Sequence, residues 1–188
     1  MLKYYPTIRR KIMANRYIMT AFGKDRTGIV ADVTRLLYEN DCNLEDTTMS
    51  MLADEFTLSL LFSSQLPDIV EALTKECRRL ELDKGISAFV RPLLQPQEAT
   101  QESYKTCTLH IEGLDQAGIV YKTSQFLADR QLSIIQLDSA AGASPQSGAT
   151  IYNMTIHIQV PENLPFEQLE EDLSTVADEL SVDITMER

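Results

Sequence analysis

Tryptophan is absent from this chain of 188 residues, and only two histidines and three cysteines occur. The cysteines, Cys42, Cys77 and Cys107, are widely spaced and form no CxxC pair. That pattern argues against a disulfide scaffold and against a zinc site. Free structural thiols in a reducing cytoplasm are the expectation. Long apolar runs are also missing: none approaches the about 18 residues of a membrane span, so no membrane role is expected. Positive charge is scarce. Against 28 Asp and Glu stand 17 Lys and Arg, for a net charge of −11 and a pI of about 4.6. So acidic a surface repels phosphate, and direct binding of nucleic acid is not expected. Neither GxGxxG nor GxxxxGK[ST] occurs, so the usual nucleotide loops are lacking. GxSxG is missing too. The expectation is a chain with no cofactor, no metal and no catalytic residues.

One basic stretch stands at the start. Lys3, Arg9, Arg10, Lys11 and Arg16 precede the first acid, Asp25. The stretch has no apolar core of signal-peptide length and no small-residue cleavage site. It reads as a basic N-terminal leader over residues 1–16, with Met13 as a candidate natural start.

What is present is a repeat. Gly23-Lys24-Asp25-Arg26-Thr27-Gly28-Ile29-Val30 returns 90 residues later as Gly113-Leu114-Asp115-Gln116-Ala117-Gly118-Ile119-Val120. Each copy follows a strand-like segment, Tyr17–Phe22 or Cys107–Glu112, and precedes a helical one. Ile29, Val30, Val33, Leu36 and Leu37 share one helical face. Ile119, Val120, Phe126 and Leu127 repeat it, with Thr123 in the fifth place. Asn43 and Ser133 then enter matched strands. Phe56, Leu58, Leu60 and Phe62 alternate onto one strand face, as do Tyr152, Met154, Ile156 and Ile158. Pro67 and Pro165 are expected to open a second helix in each half. Its stripe is Ile69, Val70, Leu73, Cys77 and Leu80 in one half. In the other it is Leu169, Leu173, Val176, Ala177 and Leu180. Ile86–Val90 and Val182–Met186 close the halves as strands.

Each half thus reads β-α-β-β-α-β. The fold class expected is α+β: two tandem ferredoxin-like domains, each a four-stranded antiparallel sheet with two helices on one face. The domains are placed at 17–91 and 104–188, with a polar, proline-bearing linker at 92–103. The second half carries an extra small-residue stretch, Ala141–Ala149, read as a mobile loop.

The repeated phrase is where chemistry is expected. Gly23 and Gly28 let the backbone turn sharply and approach a ligand. The first amides of the following helix have no intrahelical partner and carry partial positive charge, which suits a carboxylate. Asp25 places a carboxylate beside them. Together they suit a zwitterion such as an α-amino acid, and Asn43 could add an amide. A plainer alternative is that Thr27 or Asp25 merely caps the helix.

Other constellations point less far. His110 and His157 fall on the helix-free face of the second sheet, on neighbouring strands. They read as surface or interface histidines rather than a metal pair. The run Glu170-Glu171-Asp172 reads as a solvated helix face. An RNA-reading sheet would need exposed aromatics and basic charge, yet the middle strands offer mainly Thr20, Thr57, Ser59, Thr108 and Thr155. Ile18, Phe22 and Leu61 on the first helix-free face want cover, which predicts a homo-oligomer, taken as a dimer, or a protein partner.

Two βαββαβ units, each with a Gly-x-Asp-x-x-Gly-[IV]-[VI] turn, resemble ACT domains from about Tyr17 to Met186. These are regulatory amino-acid-binding modules. The stretch Cys42–Ser64 is similar to tandem-ACT transcriptional regulators made of two such domains and nothing else. The resemblance implies a small amino acid ligand, glycine or serine, held between a turn and a neighbouring domain. Matched positions are Gly23, Asp25, Thr27, Gly28, Ile29 and Asn43, with Arg26 inside the turn. In the second half they are Asp115, Gln116, Ala117 and Gly118. Ser133 stands where the first half has Asn43, and Gln116-Ala117 where it has Arg26-Thr27, which weakens the second pocket. Action through a DNA-binding protein partner, reversed by glycine, is the implied regulation. The alternatives are a regulatory piece serving a formyltetrahydrofolate deformylase or a phosphatase in trans, and a ligand-free dimerisation scaffold.

Overall fold

A computed structural model describes residues 15–94, 103–144 and 148–188. The first half runs β1 (Asn15–Lys24), α1 (Ile29–Glu39), β2 (Asn43–Leu52), β3 (Glu55–Ser64), α2 (Ile69–Lys84) and β4 (Ser87–Pro92). The second runs β5 (Tyr104–Leu114), α3 (Ile119–Asp129), β6 (Ser133–Ala143), β7 (Thr150–Pro161), α4 (Phe166–Leu180) and β8 (Val182–Glu187). These form two compact units, β1–β4 and β5–β8 with their helices. Their antiparallel sheets have the orders β2-β3-β1-β4 and β6-β7-β5-β8. The expected α+β class and the tandem ferredoxin-like topology are what the chain adopts.

The period-2 pattern of the middle strands builds each core. Tyr17, Met19 and Ala21 of β1 and Phe56, Leu58, Leu60 and Phe62 of β3 point under the helices and are buried. Cys107, Leu109 and Ile111 of β5, with Met154, Ile156, Ile158 and Val160 of β7, do the same in unit 2. Full burial of one such side chain is worth about 1.5–3 kcal/mol, so each strand pair anchors its unit. The helices answer with Ile29, Val33, Leu36 and Leu37 in α1 and Ile119, Thr123, Phe126 and Leu127 in α3.

Several expectations shift. Val30 and Val120, expected in the buried stripes, are 40% and 39% exposed. Each follows the first buried residue by 100° around the helix and so falls at the stripe's edge. Tyr152 is half-buried, and so are Val70, Val176 and Ala177. Pro67 precedes the Asp68 N-cap of α2, and Pro165 is itself the N-cap of α4, so neither lies inside its helix. β1 begins at Asn15, two residues inside the expected leader, whose remainder lies outside the described residues. β4 runs on to Pro92; most of the expected linker, residues 95–102, lies outside the described residues. Ala141–Ala143 of the expected loop belong to β6. Residues 145–147 are outside the described residues.

Candidate functional site: two unequal strand–helix turns

In unit 1 the chain leaves β1 at Lys24 and enters α1 at Ile29. Gly28 is the N-cap, with φ 89° and ψ 0°, and no side chain caps the helix. The alternative in which Thr27 or Asp25 caps α1 therefore fails. A left-handed backbone, open to glycine without steric cost, does the turning instead. The amide of Asp25 donates to the Asp54 carbonyl at 2.8 Å, which ties the turn to the β2–β3 hairpin and leaves the Asp25 side chain exposed. Gly23 is needed for a reason other than ligand approach. A Cβ there would lie 3.0 Å from the Gly85 carbonyl oxygen, so the close approach is to the end of α2.

Two residues that the sequence reading passed over dominate the local electrostatics. Asp32, in the first turn of α1, accepts from Arg26 Nη2 at 2.7 Å and faces Lys84 Nζ at 3.8 Å. Its side chain is 13% exposed. The Arg26 hydrogen bond holds its carboxyl below the ordinary carboxylate range. Arg26 Nη1 also donates to the Thr27 carbonyl at 3.3 Å. The available signal was an acid in the first helical turn, which the helix dipole favours, beside a basic loop.

Unit 2 repeats the backbone but not the charges. Gly118 caps α3 with φ 100°, and the Asp115 amide donates to the Thr150 carbonyl at 3.0 Å. Gly113 sits where a Cβ would lie 2.6 Å from Val182 Cγ1. Gln116, at the place of Arg26, donates its side-chain amide to the carbonyl of Leu180, the last residue of α4. Ala117 replaces Thr27, and Lys122 stands where unit 1 has Asp32.

Not every candidate residue gathers at the turn. Gly23, Asp25, Arg26, Thr27, Gly28 and Ile29 do. Asn43 does not, because it opens β2 opposite Ser63, while Lys24 pairs with Glu55 at the other end of the sheet. On β3 their partners Glu55 and Ser63 are eight residues apart, roughly 26 Å at about 3.3 Å each. Ser133 is likewise opposite Gln159, far from Asp115. β2 is an edge strand exposed along its whole length.

The helix-free faces also differ. Unit 1 shows Phe22 and Phe89, 46% and 52% exposed, beside half-buried Ile18 and Leu61. Unit 2 shows His110 and His157, where the sequence placed them. Their Nδ1 atoms lie 3.3 Å from Thr155 Oγ1 and 3.0 Å from Thr108 Oγ1. His110 Nε2 is 3.4 Å from Glu187 Oε2. The described residues hold no group of three His, Cys, Asp or Glu arranged to take a metal. All three cysteines are free, and burial pushes the Cys77 and Cys107 thiols up to about 11. No helix among the described residues is long and apolar enough to cross a membrane.

A glycine-capped strand–helix turn repeated on two ferredoxin-like units defines a class, and the comparisons agree with it. The ACT domain family model matches residues 15–91. A UPF0237 protein of Neisseria meningitidis serogroup B is 32% identical over 74 residues, covering 37% of this chain and 82% of that protein. The chain belongs to the ACT-domain family. Over nearly its full length it is related to the glycine cleavage system transcriptional repressor of Escherichia coli K12. That relative is 25% identical over 166 residues, 87% of this chain and 85% of the repressor. A crystal structure of an unknown protein from Galdieria sulphuraria superposes with a TM-score of 0.74 at 26% identity. The match covers 93% of this chain and 98% of that one.

Proposed function

We propose that this ACT-domain regulatory protein binds a small amino acid, glycine or serine, at the unit 1 turn and signals through a protein partner. The observation that carries the reading is the uncapped start of α1 beside an exposed carboxylate. Amides at the turn would take the ligand carboxylate, and Asp25 its ammonium. The relationship to a repressor makes a DNA-binding protein the expected partner, and the net charge of −11 is in keeping with not touching DNA directly. The role is non-enzymatic and cytoplasmic.

Asn43 enters the site from a second copy. Antiparallel pairing of the exposed β2 edge with its counterpart would set Asn43 of one subunit beside Leu52, at the turn end of the other. Ligand then bridges two subunits and favours the state in which both halves of the site meet. A thermal-shift screen of the twenty amino acids tests this. Glycine or serine should raise the midpoint in a concentration-dependent way, and Asp25→Ala should remove the effect. No shift with any amino acid would overturn the reading.

A further inference from the structure

Each turn is tied to the end of its unit's second helix, but by different chemistry. In unit 2 the tie is one neutral hydrogen bond, from Gln116 to the Leu180 carbonyl. In unit 1 no side chain from the turn reaches α2 directly among the described contacts. The tie runs through Asp32 instead: Arg26 sits on one oxygen, and Lys84, the last residue of α2, faces the other. An isolated ion pair at a surface contributes little order, because both long side chains pay entropy to meet. Here one carboxylate serves two cations, is itself largely covered, and lies on the rigid first turn of α1. Its own amide donates to the Gly28 carbonyl at 2.9 Å, so the anchor cannot drift. The guanidinium it holds reaches back to the Thr27 carbonyl at 3.3 Å. That bond closes over the Arg26–Thr27 peptide, inside the segment whose amides the proposed ligand would use.

We propose that Asp32 is a positioning residue for the unit 1 turn. By holding Arg26 across Thr27 and facing Lys84, it fixes the backbone of residues 26–28 in the form that receives the amino acid, without touching the ligand. The tie is ionic and its two cations, Arg26 and Lys84, are 40% and 47% exposed, so salt loosens it from their side. The unit 2 tie is neutral and salt leaves it in place. This rests on the turn being the ligand site, but the turn's own order can be read without ligand.

The experiment is backbone 15N relaxation on the full chain, wild type and Asp32→Asn, at low and at high sodium chloride, followed by titration with glycine and with serine. In the variant, order parameters at Arg26, Thr27 and Gly28 should fall from about 0.85 to below about 0.6, while those of β1 and β3 stay unchanged. High salt should lower the same values in the wild type and not further in the variant. Asp32→Glu, which keeps the charge, should recover most of the order. Amino-acid affinity should drop about tenfold in Asp32→Asn, the scale of one lost charge-assisted bond. Unchanged turn order in Asp32→Asn overturns the inference, as does lost order with neither salt sensitivity nor recovery by Asp32→Glu. If the wild type binds neither amino acid, the ligand reading fails, and the relaxation data still decide the positioning role.

Discussion

The two turns share a backbone and differ in charge. Both pass through a left-handed glycine, both tie their aspartate amide to the hairpin that follows the first helix, at Asp54 in the β2–β3 turn and at Thr150 in β7, and both start a helix without a side-chain cap. Unit 1 then spends Arg26, Asp32 and Lys84 on a charged network, where unit 2 has Gln116, Lys122 and a helix carbonyl. The common features are those the fold requires of any chain turning from strand to helix. The differences are free to carry function, and the proposal of ligand-responsive chemistry in unit 1 rests on them.

Substitutions can break this comparison, beginning with the largest effect. Gly113→Ala should destabilise unit 2 by about 2–3 kcal/mol, since its Cβ would lie 2.6 Å from Val182 Cγ1 across β5 and β8. Chemical denaturation read at β5 and β7 amides checks it, with unit 1 amides unaffected. Next comes the buried fifth position of the helical stripe. Thr123 Oγ1 is buried without a hydrogen-bond partner, where unit 1 has Val33. Thr123→Val should stabilise unit 2 by about 1 kcal/mol, and Val33→Thr should cost unit 1 about 1–3 kcal/mol. Denaturation midpoints measure both. Gln116→Leu should lower unit 2 stability by about 1 kcal/mol through loss of its bond to Leu180, leaving amino-acid binding untouched.

Acid should act on unit 1 through named groups. Asp32, Glu45 and Glu71 are held below the ordinary values of 3.8 and 4.5, chiefly by hydrogen bonds from Arg26, Ser63 and Lys75. Folded, they bind protons less readily than unfolded. Their stabilisation is therefore complete above those values and is lost as pH falls through the lower folded ones. Melting of unit 1 followed from pH 6 to pH 2 should show the loss beginning below about pH 4.5.

Most of the fold was legible because it is written twice. Alternation in Phe56–Phe62 and helical spacing in Ile29–Leu37 recur 90 residues on or close to it, and the strand order follows from that pairing of patterns. Val30 and Val120 were misplaced because periodicity marks a stripe but not its edge. The turn residues were legible as glycines at fixed spacing. The reason for Gly23 was not, since its tight contact is with Gly85, 62 residues away. Asp32 and Lys84 were missed for the same cause: the ion pair joins two helices, and a local pattern carries no sign of a partner on another element. Asn43 was grouped with the turn by sequence likeness, and only the register shows that the two stand at opposite ends of one sheet.

One titration tests the unequal-turn claim most directly: calorimetry of the full chain with glycine and with serine, for wild type, Asp25→Ala and Asp115→Ala. The structure of the two turns predicts binding in the wild type, its loss in Asp25→Ala, and unchanged affinity in Asp115→Ala. Undiminished binding in Asp25→Ala, or its loss in Asp115→Ala, would contradict it.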